Sequence, residues 1–177
     1  MQWYKFDIGQ LSEPLYEKYL SLMSDDRRKY VNSLKHEADR KRTVAAEMLV
    51  KTAFCDDGIE ILKDPCGKPY VKDSALNISI AHSGDFAVCA VSENLIGIDI
   101  EKMRDLNLNT AEKFCNQAEL DFINECDSTS RFFEIWTAKE AYYKMHGGIL
   151  KSFKEIDTTK INKKYFYFLD YTVCVVE

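Results

Sequence analysis

The sequence predicts an α+β fold in which long helices pack against short antiparallel strands. Three apolar runs, "NISIAHS", "FAVCAVS" and "IGIDIE", follow one another, separated only by short stretches that contain "GD" and "EN". Connections this short indicate antiparallel neighbours, so we expect the three runs to form a meander. Segments with helical spacing precede and follow these runs.

The first half of the chain contains a predicted strand and two helices before this meander. "YKFDI" has the composition of a short strand, and Ser12 with Pro14 marks a helix start. In "HEADRKRTVAAEMLVKTAFC" the apolar Val44, Met48 and Phe54 fall near helical spacing, which predicts a long helix. "KDPCGKPYV" follows as a turn, because proline and glycine break regular structure.

The second half is predicted to hold two helices and two closing strands. "TAEKFCNQAELDFINE" and "STSRFFEIWTAKEAYYKMHGG" have helical patterns, and the second ends at Gly147 and Gly148. "KYFYFLD" and "YTVCVVE" are predicted strands. The latter repeats the aromatic, x, Val, Cys, x, Val order of "FAVCAVS", which hints at a duplicated helix-plus-sheet lobe, although such strands also match by chance.

Length and composition favour one folded domain, or two small lobes that share a core. The chain has 177 residues, 46% of them hydrophobic, and no apolar run long enough to span a membrane. Its N-terminal "MQWYKFDIGQ" lacks the order of a secretion signal, so we predict a cytoplasmic protein without membrane attachment. The six cysteines form no C-x-x-C pair and are predicted to be reduced.

The distribution of charge is uneven. The net charge of −5 argues against general binding to nucleic acid. Between Ser24 and Lys51, however, the chain carries eight basic and five acidic side chains, a local charge of +3. This segment therefore supplies candidate partners for anionic groups.

Two carboxylates lie two residues apart in the apolar run "IGIDIEKMR". In a strand, Ile98 and Ile100 share one face, whereas Asp99 and Glu101 share the other. Like charges at this spacing repel each other unless a cation or a basic side chain lies between them. The alternative is a solvated strand end, and this stretch alone favours neither interpretation.

A third carboxylate, Glu140, lies in the helical segment "FFEIWTAKEAYYK". Trp136, Glu140 and Lys144 recur once per helical turn, so they share one face. On this motif alone, an ordinary surface pair between Glu140 and Lys144 is the simpler interpretation. With Asp99 and Glu101, however, Glu140 makes a set of three carboxylates, which is a type of site that Mg²⁺ uses together with phosphate oxygens and water.

In this order the motifs resemble those of a known family. "GKPYV", "AHSG", "GIDIE" and "WTAKEAYYK", preceded by "ADRKRTVAAEMLVK", are similar to the 4'-phosphopantetheinyl transferase superfamily in its larger, Sfp-type branch. The most specific parts are G-x-D-x-E and W-[ST]-x-K-E-[AS]-x-x-K. The resemblance implies an α+β fold of two similar helix-plus-antiparallel-sheet lobes, about 1–101 and 102–177, with the second lobe shortened and the active site in the cleft between them.

The resemblance also implies the activity of a holo-[carrier-protein] synthase. Such an enzyme moves the phosphopantetheine arm of coenzyme A to a serine of an apo acyl or peptidyl carrier protein and leaves adenosine 3',5'-bisphosphate. Asp99, Glu101 and Glu140 would then hold Mg²⁺ against the pyrophosphate of coenzyme A, and Lys144 would add a positive charge beside it. Glu140, directly or through a metal-bound water, would take the serine proton.

Four further residues match family positions that contact coenzyme A. Arg42 lies in the basic helix, Lys68 in the turn "GKP" and His82 in "AHSG", while Arg27 is a less direct match. Two of them have a structural alternative, since Lys68 can be an ordinary turn residue and a histidine such as His82 beside a strand end is more often a satisfied side chain than a ligand. The serine that often precedes the motif histidine is Ala81 here.

Carrier proteins are generally acidic around the modified serine, which predicts a basic or apolar docking patch on this protein. We expect that patch between Lys102 and Phe114, with Arg104 and Lys113 as its charges, on a protein that acts as a monomer. Two alternatives remain at this point. A Mg²⁺-dependent phosphodiester hydrolase would use the same acids with water as nucleophile, and a non-catalytic module would only bind coenzyme A or a carrier protein.

Overall fold

The computed structural model describes residues 1–105, 108–149 and 152–177. Within these residues, α-helices and antiparallel strands occupy separate stretches of the chain, which confirms the predicted α+β class. The strands are β1 (Gln2–Asp7), β2 (Ile61–Lys63), β3 (Pro69–Val71), β4 (Asn77–Ser83), β5 (Phe86–Ser92), β6 (Gly97–Lys102), β7 (Lys163–Phe168) and β8 (Tyr171–Val176). The α-helices are α1 (Glu13–Ser21), α2 (Asp25–Ser33), α3 (Glu37–Phe54), α4 (Gln117–Glu125) and α5 (Ser128–Met145).

Two three-stranded antiparallel sheets dominate the described part of the chain and share one strand order. The first sheet has the order β1-β5-β4 and the second β6-β8-β7, so in each the last strand of the unit lies in the centre. The central strands are those whose sequences echo each other, and both of their cysteines, Cys89 and Cys174, are buried. We call β1, α3, β4 and β5 the first unit, and β6, α5, β7 and β8 the second unit.

Apolar side chains hold the units together. Helix α3 packs on the Cys89 face of the first sheet, and α5 packs on the Cys174 face of the second sheet. The opposite faces of the two sheets pack against each other through residues such as Val88, Ile98 and Val173. The two sheets therefore lie between the two long helices.

The predicted meander is wrong at its third strand. Strands β4 and β5 pair as expected, but β6 pairs with β8. Along β4 and β6 the hydroxyl oxygens of Ser79 and Ser83 accept hydrogen bonds from the backbone N–H groups of Ile98, at 3.0 Å, and Lys102, at 3.2 Å. These two contacts form a serine seam between the sheets in place of a backbone ladder.

The position of β6 also bears on the predicted lobe boundary. Its pairing with β8 places Gly97–Lys102 in the second sheet, so the strand crosses residue 101. The division into 1–101 and 102–177 stays a prediction.

Of the described helices, none is both long and apolar enough to cross a bilayer.

One predicted helix is shorter than expected. "TAEKFCNQAELDFINE" divides into a 3-10 helix that ends at Lys113 and the α-helix α4. The division follows from a capping box, in which the side chain of Asn116 accepts from the N–H of Glu119 and the Glu119 carboxylate accepts from the N–H of Asn116. Helix α5 ends at Met145, and the predicted stop signals, Gly147 and Gly148, follow directly with positive φ.

Candidate active site

Strand β6 presents its two carboxylates to helix α5. Asp99 lies opposite Cys174 of β8, on the face that α5 covers, whereas Ile98 and Ile100 are buried between the sheets. Gly97 explains why the strand and helix come so close, because a Cβ at this position would lie 1.8 Å from the carbonyl oxygen of Ala141. The glycine of G-x-D-x-E is thus required by packing, a role that the sequence analysis did not assign.

Asp99 is the most buried acid of the three, and it pairs with Lys144. The Lys144 Nζ donates to Asp99 Oδ1 at 2.6 Å, while Asp99 Oδ2 is buried without a hydrogen-bond partner. Burial raises the pKa of Asp99 to about 7 against the opposing effect of Lys144, and Glu101 and Glu140 raise it further. A buried carboxylate oxygen without a partner is costly, so this site favours an additional cation.

Glu101 is held from both units. Its Oε1 accepts from the indole N–H of Trp136 at 3.2 Å, and its Oε2 accepts from the hydroxyl of Ser83 at 3.0 Å. Neither contact was predicted from the sequence. The alternation of Ser79, Ala81 and Ser83 along β4 is the signal that could have indicated the hydroxyl.

Glu140 shares the electrostatic environment of the β6 carboxylates. Burial raises the pKa of Glu140, Lys144 lowers it, and Glu101 raises it again. In the described ranges, no group of three or more His, Cys, Asp or Glu side chains is arranged as a finished metal site. The donor set nevertheless fits a hard cation, because it offers carboxylate oxygens, and the one that is buried without a partner belongs to Asp99, beside Lys144.

A cavity of about 310 Å³ opens beside these residues. Arg27, His82 and Lys144 line it together with Tyr30 and Lys63, so three predicted site residues share its wall. The His82 side chain is exposed at the cavity mouth, yet partial removal from water lowers its pKa, and Arg42 and Lys144 act in the same direction. The lowered pKa of His82 favours its neutral imidazole form.

Lys144 also lines a second cavity of about 300 Å³, next to Lys68. The Lys68 Nζ donates to the carbonyl oxygen of Met145 at 2.8 Å, so in this structure it caps the C-terminal end of α5. Burial lowers the pKa of Lys68. The structure thus places Lys68 at the cavity wall and gives its ammonium a protein partner.

Arg42 and Arg27 are likewise tied to protein groups. Arg42 donates to the carbonyl oxygen of Gly84 at 2.6 Å and pairs with Asp39. Arg27 lies 3.7 Å from the carboxylate of Glu47, which is 3% exposed. Burial raises the pKa of Glu47 and Arg27 lowers it. Arg27 lines the cavity and pairs there with the buried Glu47. Arg42 is not among the residues that line this cavity.

The predicted docking patch lies in part outside the described residues, because it includes positions 106 and 107. Arg104 and Lys113 are both exposed. Lys102 is partly engaged, since its Nζ lies 3.3 Å from Asp85 and 3.7 Å from Asp170.

Comparison with known proteins gives consistent results. The family model described as "4'-phosphopantetheinyl transferase superfamily" matches residues 95–172, which contain β6 and α5. The chain is 28% identical over 147 residues to 4'-phosphopantetheinyl transferase Sfp of Bacillus subtilis (strain 168), and 30% identical over 141 residues to a second transferase of that species. It is 32% identical over 118 residues to 4'-phosphopantetheinyl transferase gsp of Aneurinibacillus migulanus.

The chain is similar to members of the 4'-phosphopantetheinyl transferase superfamily.

The matches cover 77%, 74% and 62% of this chain, and 66%, 63% and 49% of the three relatives. The chain thus spans between about half and about two thirds of the length of the relatives that it matches. A solved holo-(acyl-carrier-protein) synthase from Bacillus anthracis, in complex with CoA (3',5'-ADP), superposes with a TM-score of 0.41 and 23% identity. That superposition covers 50% of this chain and 90% of the synthase.

Proposed function

We propose that this protein transfers the 4'-phosphopantetheine arm of coenzyme A to a serine of an apo carrier protein and releases adenosine 3',5'-bisphosphate. One observation carries the proposal. The fold brings the two motifs that define the family together at one point, where Lys144 of α5 contacts Asp99 of β6 at 2.6 Å. The match of residues 95–172 to the superfamily model and the similarity to three transferases support the same reaction class.

The proposed chemistry is a phosphoryl transfer. The serine oxygen forms a bond to the phosphorus that carries the pantetheine arm, and the bridging bond of the pyrophosphate breaks, so the nucleotide leaves as the bisphosphate. Glu140 accepts the serine proton, and the burial that raises its pKa also makes it a stronger base than an exposed glutamate. Lys144 places a positive charge beside the pyrophosphate.

Asp99, Glu101 and Glu140 would hold Mg²⁺. The ion, when bound, would neutralise charge on the phosphates and on the departing nucleotide. The cavity that Arg27, His82 and Lys144 line is the proposed site of coenzyme A. Lys68 lines the neighbouring cavity, which shares Lys144, and its ammonium and the Arg42 guanidinium are already oriented by protein carbonyls.

The decisive experiment measures the intact mass of the carrier. The protein is incubated with coenzyme A, Mg²⁺ and a panel of apo carrier proteins, and we expect one carrier to gain a single phosphopantetheine. The control variant is Glu60→Gln, which removes an exposed carboxylate that pairs with Lys72 and lines neither candidate cavity. This variant should modify the carrier as the wild-type protein does. Release of the bisphosphate without a carrier would instead support a hydrolase, and coenzyme A binding without either product would support a binding module.

The proposed carrier patch has its own test. Reversal of charge at Arg104 and Lys113 should raise the Michaelis constant for the carrier several-fold, because an acidic partner would meet two repelling groups, and should leave that for coenzyme A unchanged. Reversal of Lys72 and Lys164, which are exposed elsewhere, serves as the control. Equal effects on both substrates would remove the patch from this surface.

A further inference from the structure

Lys139 belongs to the same "WTAKE" segment as Glu140, but it is fully buried. Its ammonium donates to the carbonyl oxygens of Phe153, at 2.9 Å, and Ile156, and it pairs with Glu119 of α4 at 2.8 Å. An ammonium has three donors, so these partners use all of them. The reaction proposed above assigns a role to the neighbouring Glu140 but none to Lys139.

Glu119 is equally well satisfied. One carboxylate oxygen accepts from the N–H and the hydroxyl of Thr158, at 3.0 and 2.8 Å, and the other accepts from the N–H of Asn116. Burying such a pair rarely adds more stability than apolar side chains of similar volume would. Through these contacts the pair fixes the position of the segment from Phe153 to Thr158. The regular structure of this part of the chain is limited to two short 3-10 turns, Phe153–Glu155 and Thr158–Lys160.

That segment places an aromatic ring against Trp136. The Phe153 ring stacks on the indole with a centroid distance of 5.4 Å and an interplanar angle of 12°. Phe132 lies nearly parallel to the same indole at 6.3 Å, and Phe114 meets its plane edge-on at 4.9 Å. The indole is therefore fixed by rings from three different segments.

The indole in turn orients Glu101. Its N–H donates to Glu101 Oε1, while Ser83 occupies Oε2. A continuous set of contacts thus runs from the buried ion pair through Phe153 and Trp136 to a carboxylate of the candidate site.

We propose that Lys139 and Glu119 are positioning residues for Glu101. They hold the segment that carries Phe153, Phe153 fixes Trp136, and Trp136 sets the direction of the Glu101 oxygen that would meet a divalent cation. The inference rests on the proposed function in one respect, the role of Glu101 as a metal ligand. Outer partners that orient a ligand in this way typically change metal affinity by about 10- to 100-fold when they are lost.

The chain offers a matched control in Lys51. This lysine is 1% exposed, lies on α3, donates to the carbonyl oxygens of Asp57 and Ile59, and lies 3.9 Å from Glu47. Lys139→Met should weaken Mn²⁺ binding about tenfold, as measured on the folded protein by electron paramagnetic resonance. Lys51→Met, which buries the same substitution in the first unit, should leave Mn²⁺ affinity within about twofold.

A spectroscopic measurement separates this inference from the proposed function. The chain has two tryptophans, so a Trp3→Phe background leaves Trp136 as the reporter. In that background Lys139→Met should shift the Trp136 emission to longer wavelength, and Lys51→Met should not. If Lys139→Met does not fold, Phe153→Leu removes only the ring, and it should move both readouts in the same direction.

A double-mutant cycle tests the route. Trp136→Phe keeps an aromatic ring but removes the N–H, so it should weaken Mn²⁺ binding about tenfold by itself. If Lys139 acts through Trp136, adding Lys139→Met to Trp136→Phe should cost little more. Additive losses would overturn the inference, and so would wild-type Mn²⁺ affinity and unshifted emission in Lys139→Met and Phe153→Leu. Absence of Mn²⁺ binding by the wild-type protein would overturn the metal part of the proposed function, and the emission shift would still decide the placement of Trp136.

Discussion

The two units have the same strand order, but only the second carries the candidate chemistry. When Cys89 and Cys174 are aligned, the register places Tyr4 of β1 at the position of Asp99, and Phe6 at the position of Glu101. Tyr4 and Phe6 pack against the first core, whereas their counterparts are carboxylates that face α5. The comparison teaches that the same strand order can carry either apolar or acidic side chains at these two positions of the first strand, so the candidate site depends on side chains and not on the strand order.

The two long helices differ in the same way. Helix α3 fills its buried face with larger apolar side chains such as Val44, Met48 and Leu49. Helix α5 instead places Ala138 and Ala141 against its sheet. Small residues let the backbone of α5 approach β6, and this approach brings Lys144 within reach of Asp99.

The largest effect is expected where the units differ most. Asp99→Ala should lower kcat/KM for carrier modification by at least about a hundredfold, because a metal ligand contributes several kcal/mol to the transition state. Chelation should have a similar effect on the wild-type protein. Tyr4→Phe, at the matching position of the first unit, should leave kcat/KM unchanged. Comparable losses in both variants would break the comparison.

The close approach of α5 gives the next prediction. Gly97→Ala should lower the free energy of unfolding by about 1 to 3 kcal/mol or more, since its Cβ would meet the backbone carbonyl of Ala141 at 1.8 Å. In Gly58→Ala the new Cβ would meet only a flexible Asp56 oxygen at 3.1 Å, and the change should stay within about 0.5 kcal/mol. Urea denaturation of both variants measures the difference. A tolerated Gly97→Ala would show that the helix can move away from the strand.

The pH dependence of stability sharpens the comparison through Asp99. Its folded pKa, about 7, lies above the ordinary value of 3.8, so the folded protein binds more protons than the unfolded chain between these values. Without metal, the contribution of Asp99 to stability should therefore be largest below about pH 4 and should be lost as the pH rises through about 7.

The variant Asp99→Asn cannot lose this pH-dependent contribution. Its free energy of unfolding should therefore fall less between about pH 5 and about pH 8 than that of the wild-type protein. Urea unfolding in a chelator measures both profiles. Parallel profiles would show that Asp99 is ionised in the folded protein across this range.

The smallest effect concerns Ala81, whose counterpart in the second unit is Phe166. Ala81 is 5% exposed and lines the candidate cavity that also holds His82 and Lys144, while Ser79 and Ser83 on the same face already bond to β6. Ala81→Ser should tighten coenzyme A binding by about three- to tenfold, less than a full charge-assisted hydrogen bond would provide. Calorimetry should show no gain for an analogue that lacks the 3'-phosphate. An equal gain for both ligands would place the hydroxyl elsewhere.

The sequence predicted local features better than long-range ones. The helix over Val44 and Met48, the end of α5 at Gly147, and the shared face of Asp99 and Glu101 depend on neighbours in the chain, and the structure confirms them. The pairing of β6 with β8 joins residues 69 to 79 positions apart, so no local pattern could indicate it. The Ser83 and Trp136 contacts to Glu101 were missed for the same reason.

The serine seam has a consequence for how the junction between the two sheets can change by substitution. Each sheet keeps its own backbone ladder, and only two hydroxyl groups, on Ser79 and Ser83, stand between the edges of β4 and β6. A hydrogen bond of this kind contributes about 1 kcal/mol, so either can be exchanged without unravelling a strand. The spacing between the edges of β4 and β6 therefore depends on side chains and not on a main-chain ladder, and substitutions at these two positions can change it while both sheets persist.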